Sequence, residues 1–410
     1  MKTFNIRSIY FFVIFIYTAT PCDILSLTNY SGNIISLVFP ILFSAYMCIR
    51  YKINFLDKKF IFTIMLLSLW NIIHILCDEY YKISPFPYIE IFIAYIIIKL
   101  YSDDFAFRFE KVSVFLSKIA LIGWIICLFA HGMILNIANR IGSPGASISQ
   151  SLYIFSIPLR SDNVGFILRN CGFSWEPGRF SCFLLIALFF NISRNNFNLR
   201  NKNFLILLIA LISAQSTTGY VIFIIMIILY YLWNKKINPI YFCISAIIIS
   251  FVFTLPFMKE KIVDLFSNSL DIETQVNDLV YLTRNGDVDG YYVPQRFDGM
   301  MFQLMNLEHA PLLLGEGRDL TQFYLNREMG FHIAVSEGIF AIIIQYGIII
   351  ALSAYYLLFR SSRVLCPQCP LLFFLIFIMI NFSYSLWEPP LMMAVWMYGL
   401  YNKNLDKLCH

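Results

Sequence analysis

The chain has 410 residues, of which 59% are hydrophobic and only 13% are charged, and its mean hydropathy is +0.70. This composition excludes an ordinary soluble domain, because a water-soluble core does not require so much apolar surface. The formal net charge of +5 is small and the basic residues form no basic face, so nucleic acid is not indicated as a partner. We therefore interpret the chain as a polytopic membrane protein.

Apolar runs of about 17 to 25 residues recur along the chain, the length that crosses roughly 30 Å of hydrocarbon. The first run, Ile9 to Thr20, follows Lys2 and Arg7 and has no small-residue cleavage site after it, which predicts a retained span and not a removed signal peptide. The expected fold class is all-α, with about twelve transmembrane helices. Further spans are predicted near residues 31–49, 60–77, 87–101, 116–137, 179–193, 203–215, 219–233, 239–257, 333–359, 370–386 and 389–401.

Lysine and arginine alternate between the loops, and 19 of the 30 fall on one side. The positive-inside rule then predicts that both termini are cytoplasmic, in a bacterial inner membrane. The loops at 138–178 and 259–331 face outward, as does the tight turn at 214–219. The expected organisation is N-terminal helices 1–137, a first outward loop 138–178, central helices 179–258, a large periplasmic loop 259–331 and C-terminal helices 332–410.

The long water-facing stretch from Lys259 to His332 holds 12 of the 25 acidic residues and six basic ones. Helical spacing predicts two helices in it, Asp271–Leu282 and Pro294–Glu308. Arg296 lies in the first turn of the second helix, an unfavourable place for a cation beside the positive helix end. This mismatch indicates use of Arg296 in function.

The first outward loop ends in FILRNCGFSWEPGRF, residues 166–180, where Arg169, Glu176 and Arg179 cluster beside Trp175. One interpretation is an interfacial anchor, with Trp175 at headgroup depth and the arginines extended toward water. The other is that the arginines pair with an anionic group, since a guanidinium can hold two phosphate oxygens at once. The residues alone leave both open. A second WEP at 387–389 favours a recurrent turn for that tripeptide.

Several segments occur in a recognisable order: GFSWEPGRF at the start of a span, SAQSTTGY between two spans, and a long outward loop containing RF, LLLGEG and a histidine before EGIFAIIIQYGI. Over about residues 165–360 this order resembles the O-antigen polymerase family (Wzy type), and more distantly the O-antigen ligases. The resemblance implies a glycosyltransferase that takes undecaprenyl-diphosphate-linked oligosaccharides as both donor and acceptor. It also implies a chain-length regulator as a partner.

The resemblance assigns the catalytic roles to Arg169, Arg296 and His332. A lipid diphosphate is a good leaving group, so the two arginines can stabilise its developing charge without a metal or other cofactor. His332 is of a type that accepts the acceptor hydroxyl proton, with an ordinary pKa near 6.5. The predicted substrate-binding residues are Glu176, Arg179, Arg318, Arg327 and Glu328, the last lying one helical turn before His332.

Other chemistry is less well supported by the residues. Cys366 and Cys369 have the spacing of half a zinc site, but a structural zinc needs four ligands and a proline-containing turn explains the segment equally well. Asp287 and Asp289 form a D-x-D pair, which in many nucleotide-sugar transferases holds a divalent cation. They stand among turn-forming residues, however, which favours a solvated turn over a cation site. The rival functions are an O-antigen ligase that uses a lipid A core as acceptor and a flippase for lipid-linked sugars. A flippase is expected to place charges along its spans, whereas most charges here are at span ends or in loops.

Overall fold

The computed structural model describes most of the chain and gives the bounds of eleven helices and four short strands within the described part. The described residues are 5–19, 34–77, 81–141, 149–159, 168–195, 201–234, 291–292, 299, 303–304, 306–307, 311–318, 332–333 and 338–401. The helices are α1 Ile6–Ala19, α2 Ile34–Arg50, α3 Lys58–Cys77, α4 Phe86–Leu100, α5 Phe105–Ile141, α6 Pro177–Asn195, α7 Lys202–Ala214, α8 Thr217–Asn234, α9 Ile339–Leu365, α10 Pro370–Ser383 and α11 Pro390–Tyr401. The strands are β1 Ser149–Leu152, β2 Phe155–Pro158, β3 Tyr291–Tyr292 and β4 His332–Ile333.

The described residues are mostly helical, and helices occupy every predicted span except 239–257, which lies outside them. Three segments are long and apolar enough to cross a membrane: Lys58–Cys77, Phe105–Arg140 and Ile339–Leu365. The other helices are shorter. The prediction of a helical membrane protein is therefore confirmed, and the number of spans stays a prediction.

The centre of the bundle is built by α4, α6 and α11, which are buried on nearly all sides. A helix that is apolar around its whole circumference belongs in a core, and these three segments have that composition. By contrast, α2, α3 and α5 expose large apolar side chains, such as Leu42, Phe62 and Phe129, on one face. An exposed apolar face of this kind suits contact with lipid and not with water.

Two helix boundaries differ from the sequence prediction. α5 begins at Phe105 and not near 116, because Glu110 in its second turn is held in the fold by Asn191 and Asn203 at 2.9 and 3.0 Å. This helix is also kinked at Ala130. α9 begins at Ile339, six residues later than predicted, after Gly338 as its N-cap.

The helix ends meet at two opposite ends of the bundle. At one, Lys99 in the last turn of α4 donates to Asp57 at 2.7 Å and to the carbonyl of Tyr401 at 3.1 Å. We call this the Lys99 end. At the other, Ser174 donates to the carbonyl of Ala19 at 2.9 Å, which joins the end of α1 to the segment before α6. We call it the Arg169 end.

A β-hairpin at the Arg169 end departs from the all-α prediction. β1 and β2 pair antiparallel, with Ser149 opposite Pro158, through a two-residue turn in which Tyr153 has φ 57°. The hairpin packs against α5, where a Cβ on Gly123 would lie 2.9 Å from the Phe155 ring. Its residues are largely buried, so the ladder satisfies backbone groups that water does not reach. The hairpin was not predicted from the sequence.

Candidate functional site

Arg169 lies in a segment that is fixed between two helical elements. The carbonyl of Leu168 accepts from the indole of Trp124 on α5 at 2.6 Å. Asn170 binds Ser213 twice, backbone to backbone at 3.0 Å and side chain to side chain at 2.9 Å. Arg169 is therefore held on both sides by hydrogen-bonded neighbours. Its backbone position is set before any ligand arrives, as electrostatic stabilisation of a leaving group requires.

The turn between α7 and α8 faces the Arg169 segment. Gln215 caps α7 in the left-handed region at φ 47°, and the Ser216 hydroxyl accepts from the amide of Gly219 at 3.2 Å. A Cβ on Gly219 would lie 2.8 Å from Ser181, so this turn contacts α6. Arg169 lies near enough to Tyr220, at the start of α8, for the two side chains to interact electrostatically. Two segments that the family resemblance singled out, 169–179 and 213–220, thus lie together.

Arg179 does not extend toward water as an interfacial anchor would. Its side chain is 2% exposed, and its guanidinium lies 3.5 Å from the ring centroid of Trp175. One nitrogen donates to the carbonyl of Thr18 at 2.7 Å, while Nε and Nη1 have no hydrogen-bond partner in the described part of the chain. Glu176 contributes the nearby negative charge. The anchor interpretation is therefore wrong for Arg179, and its role as a substrate contact stays a prediction.

Arg318 forms an ion pair that is almost entirely buried. It donates to both carboxylate oxygens of Glu90 on α4, at 2.9 and 2.8 Å, and lies 3.4 Å from Glu388. Burial lowers the pKa of Arg318, but the charges of Glu388 and Glu90 outweigh this and raise that pKa well above its ordinary value. Bidentate pairing uses the face of the guanidinium that a phosphate would need. The geometry favours a structural role for Arg318 over the predicted substrate contact.

The segment 311–318 is threaded against a break in α9. Gly347 interrupts that helix with φ 78° and ψ 166°, which leaves carbonyls of the preceding turn without helical partners. The segment fills the gap, because Glu316 donates its amide to Ile344 at 2.6 Å and Gly317 donates to Gln345 at 3.0 Å. Ile348 donates in return to the carbonyl of Leu312 at 2.8 Å. We call residues 311–318 the threaded segment.

The threaded segment is also held by α3. The carbonyl of Leu314 contacts the indole nitrogen of Trp70 at 3.0 Å and the Nε2 atom of His74 at 2.9 Å. His131 likewise contacts the carbonyl of Pro158 at 2.8 Å. Both histidines are therefore hydrogen-bonded residues within helices, His74 in α3 and His131 in α5.

Gly347→Ala is expected to lower the free energy of unfolding by at least 1–3 kcal/mol, because this backbone region is essentially restricted to glycine. In addition, a Cβ at this position would overlap the carbonyl of Leu313. Thermal unfolding in one detergent measures the change. Gly132→Ala is the matched control, since nothing lies within 4 Å of its Cβ position in α5. Equal melting temperatures for the two variants would contradict the contact between the threaded segment and the break in α9 at Gly347.

His332 lies in a strand and not at a helix start. The backbone of β4 pairs in parallel with β3, so that His332 is opposite Tyr291 and Ile333 is opposite Tyr292. The C-terminal end of the long outward loop therefore lies beside residues 291–292 within the same loop. Glu328 was predicted to be one helical turn from His332, and this spacing does not apply to a residue in a strand. The side chain of His332 lies outside the description, as do Arg296, Arg327, Glu328 and the Asp287–Asp289 pair.

The two WEP tripeptides both precede a buried helix. Pro177 starts α6 and Pro390 starts α11, directly after the second tripeptide. This agrees with the prediction of a recurrent turn. The two turns are neighbours, because a Cβ on Gly178 would overlap the Tyr384 side chain. The turn 384–389 therefore joins the Arg169 segment to the Glu388–Arg318 contact.

Within the described residues, no group of three or more histidine, cysteine or acidic side chains is placed to hold a metal ion. Cys366 and Cys369 are buried free thiols in the turn between α9 and α10. Burial raises the pKa of the Cys369 thiol and opposes the thiolate form that zinc requires.

Glu90, Glu388 and Gly347 have structural roles that were not predicted from the sequence. Glu90 had a signal: it is the lone carboxylate in the apolar run PYIEIFIAYIII, and such a residue needs a partner in a membrane protein. Comparison of the chain with models of protein families, with curated proteins and with solved structures found no match.

Proposed function

We propose that this protein polymerises undecaprenyl-diphosphate-linked oligosaccharide repeats into O-antigen, or a similar surface polysaccharide, at the periplasmic face of a bacterial inner membrane. The observation that carries the proposal is the convergence at the Arg169 end. There, 168–179 contacts the 213–220 turn, and the turn 384–389 links it to the threaded segment. Three of the segments that meet here carry the family resemblance: GFSWEPGRF, SAQSTTGY and LLLGEG.

In the proposed reaction, the hydroxyl oxygen of one lipid-linked repeat bonds to the anomeric carbon of the growing glycan. The bond from that carbon to the phosphate oxygen breaks, and the lipid diphosphate leaves with the electron pair. Arg169 and Arg296 stabilise the charge on the departing diphosphate. His332 takes the proton of the attacking hydroxyl. Arg296 follows Tyr292 by four residues, so the distance between the Cα atoms of Arg296 and Tyr292 is at most about 14 Å.

The distribution of buried charge supports an enzyme over a flippase. Among the described helices, the buried carboxylates are Glu90 and Glu110 and the buried arginine is Arg179. Each lies within the first two turns of its helix. A path for a charged headgroup is expected to place such groups along the length of the spans.

Replacing His332 or Arg296 by Ala is expected to leave the protein inserted while cells make O-antigen of a single repeat. Chain length on a lipopolysaccharide gel is the measurement, with membrane levels of each variant determined in parallel. Arg140→Ala is the matched control, because Arg140 is an exposed arginine at the end of α5. Long-chain ladders from both site variants would contradict the assignment.

The same gel separates the alternatives in a deletion strain. Loss of long chains with one repeat still attached to the core indicates a polymerase. A bare core with accumulated lipid-linked polymer indicates a ligase, and lipid-linked units retained on the cytoplasmic face indicate a flippase.

A further inference from the structure

The turn 384–389 at the Arg169 end has a fixed backbone. The side-chain oxygen of Asn381 accepts from the amide of Leu386 at 3.1 Å, and the backbone carbonyl of Asn381 accepts from Gly338 at 2.9 Å. A Cβ on Gly338 would meet Asn381 at 2.6 Å, so α9 and α10 approach closely here. Side chains carried by this turn are therefore presented in a defined arrangement.

Two hydrogen-bond donors of this region are buried and unused. The amide nitrogen of Asn381, 0% exposed, and the indole nitrogen of Trp387, 7% exposed, have no hydrogen-bond partner among the residues that the structure describes. A buried donor without an acceptor is costly, so such groups commonly face a ligand or an ordered water. Trp387 is positioned by Tyr346, whose ring centroid is 5.2 Å away.

A hydrogen-bond acceptor is carried by Glu388, the residue after Trp387. Glu90 satisfies Arg318 with two hydrogen bonds at 2.9 and 2.8 Å, whereas Glu388 approaches Arg318 only to 3.4 Å. The Glu388 side chain is 26% exposed, so its carboxylate retains lone pairs that can face solvent or a ligand. Glu388 directly follows Trp387, which places acceptor and donor on adjacent residues.

The charges at this position discriminate between classes of ligand. Glu90, Glu388 and Arg318 together carry one net negative charge, which disfavours a phosphate or carboxylate. The two N–H donors disfavour a metal cation, because a cation needs lone pairs and not hydrogens. A carboxylate beside two N–H groups complements a hydroxyl-bearing ligand, since each hydroxyl both donates and accepts.

We propose that Asn381, Trp387 and Glu388 form a subsite for an uncharged saccharide, the acceptor sugar of the incoming repeat. Glu388 accepts from a sugar hydroxyl, and the Asn381 and Trp387 nitrogens donate to hydroxyl oxygens. This inference rests on the proposed polymerase function. It separates acceptor recognition at the turn 384–389 from the donor diphosphate at Arg169.

The test measures binding of a saccharide that lacks the lipid diphosphate. The probe is the repeat-unit oligosaccharide released by mild acid from the lipid-linked pool of the deletion strain, titrated calorimetrically into detergent-purified protein. Glu388→Gln is expected to weaken binding about tenfold or more, because hydrogen bonds to charged groups are the stronger ones. Trp387→Phe keeps an aromatic ring and is expected to weaken binding several-fold.

Trp396→Phe is the matched control. The indole nitrogen of Trp396 on α11 also has no hydrogen-bond partner within the described chain, and its ring packs against Phe377 and Tyr355. Trp396→Phe removes an indole N–H of the same kind outside the turn 384–389, and this variant is expected to bind the saccharide like the wild type.

Equal affinities for all four proteins would overturn the subsite and assign the Trp387 and Asn381 donors to ordered water. Absence of binding to the wild type at millimolar saccharide would overturn it as well. Neither result bears on polymerisation, because the titration involves no transfer. Conversely, long chains in the deletion strain would refute the proposed function whatever the titration gives.

Discussion

Arg318→Met is expected to lower the free energy of unfolding by about 3–5 kcal/mol, the range measured when one partner of a buried ion pair is removed. Glu90 is 3% exposed and would be left in the bundle without the cation that satisfies both of its oxygens. The threaded segment would also lose its attachment to α4. Thermal unfolding of the purified protein in detergent measures the loss, and chain length in cells measures its consequence.

The control is the double variant Arg318→Met/Glu90→Gln. Removing both charges avoids an isolated buried carboxylate, so most of the lost stability is expected to return. This comparison also tests the substrate-contact prediction for Arg318. If Arg318 binds a phosphate of the donor, the single variant should keep the wild-type melting temperature and lose only chain elongation. A structural ion pair predicts loss of both in the single variant and recovery of melting temperature in the double.

The helices could be predicted from sequence because each depends on local information. Apolar length and the charges at the ends set where a span begins and ends, and no distant residue is needed. The first residues of α5 and α9 are exceptions. α5 begins early because polar side chains of α6 and α7 hold Glu110 in its second turn. α9 begins late because residues 332–333 belong to a strand pair.

The threaded segment could not be predicted, because its contacts join distant parts of the chain. Arg318 meets Glu90 across 228 residues, and Leu314 meets Trp70 across 244. No local periodicity encodes such a pairing. In the fold, Gly315 has φ 77°, and a Cβ there would lie 2.6 Å from the backbone of Gln345.

The candidate site was predicted in part. The sequence predicted that Arg169 and the turn at 214–219 lie on the same outward side, but it predicted neither their contact nor the burial of Arg179. Sequence alone places Trp175 and Arg179 one helical turn apart, a spacing common to interfacial anchors and to buried cation–π pairs. What decides between them is the end of α1, which supplies the Thr18 carbonyl and covers the pair.

Arg169→Ala is expected to reduce chain elongation about 10²- to 10³-fold with little change in melting temperature. The Leu168–Trp124 and Asn170–Ser213 hydrogen bonds do not involve the Arg169 side chain, so truncation of Arg169 leaves them in place. The rate of polymerisation of purified lipid-linked repeats in detergent is the measurement. Arg169→Lys should recover only a small part of the rate, because an ammonium cannot form the planar bidentate contact with phosphate oxygens.

Arg179→Met is the comparison that makes the Arg169 result specific. Two nitrogens of the buried Arg179 guanidinium have no hydrogen-bond partner among the residues that the structure describes, so an apolar side chain of similar volume should be neutral or stabilising for the fold. If only Arg169 contacts the diphosphate, Arg179→Met keeps its rate while Arg169→Ala loses it. An equal loss in both would assign Arg179 to the substrate as the sequence predicted. Wild-type rates for Arg169→Ala would refute the role of Arg169, because a preformed anion contact cannot be removed without cost to the leaving group.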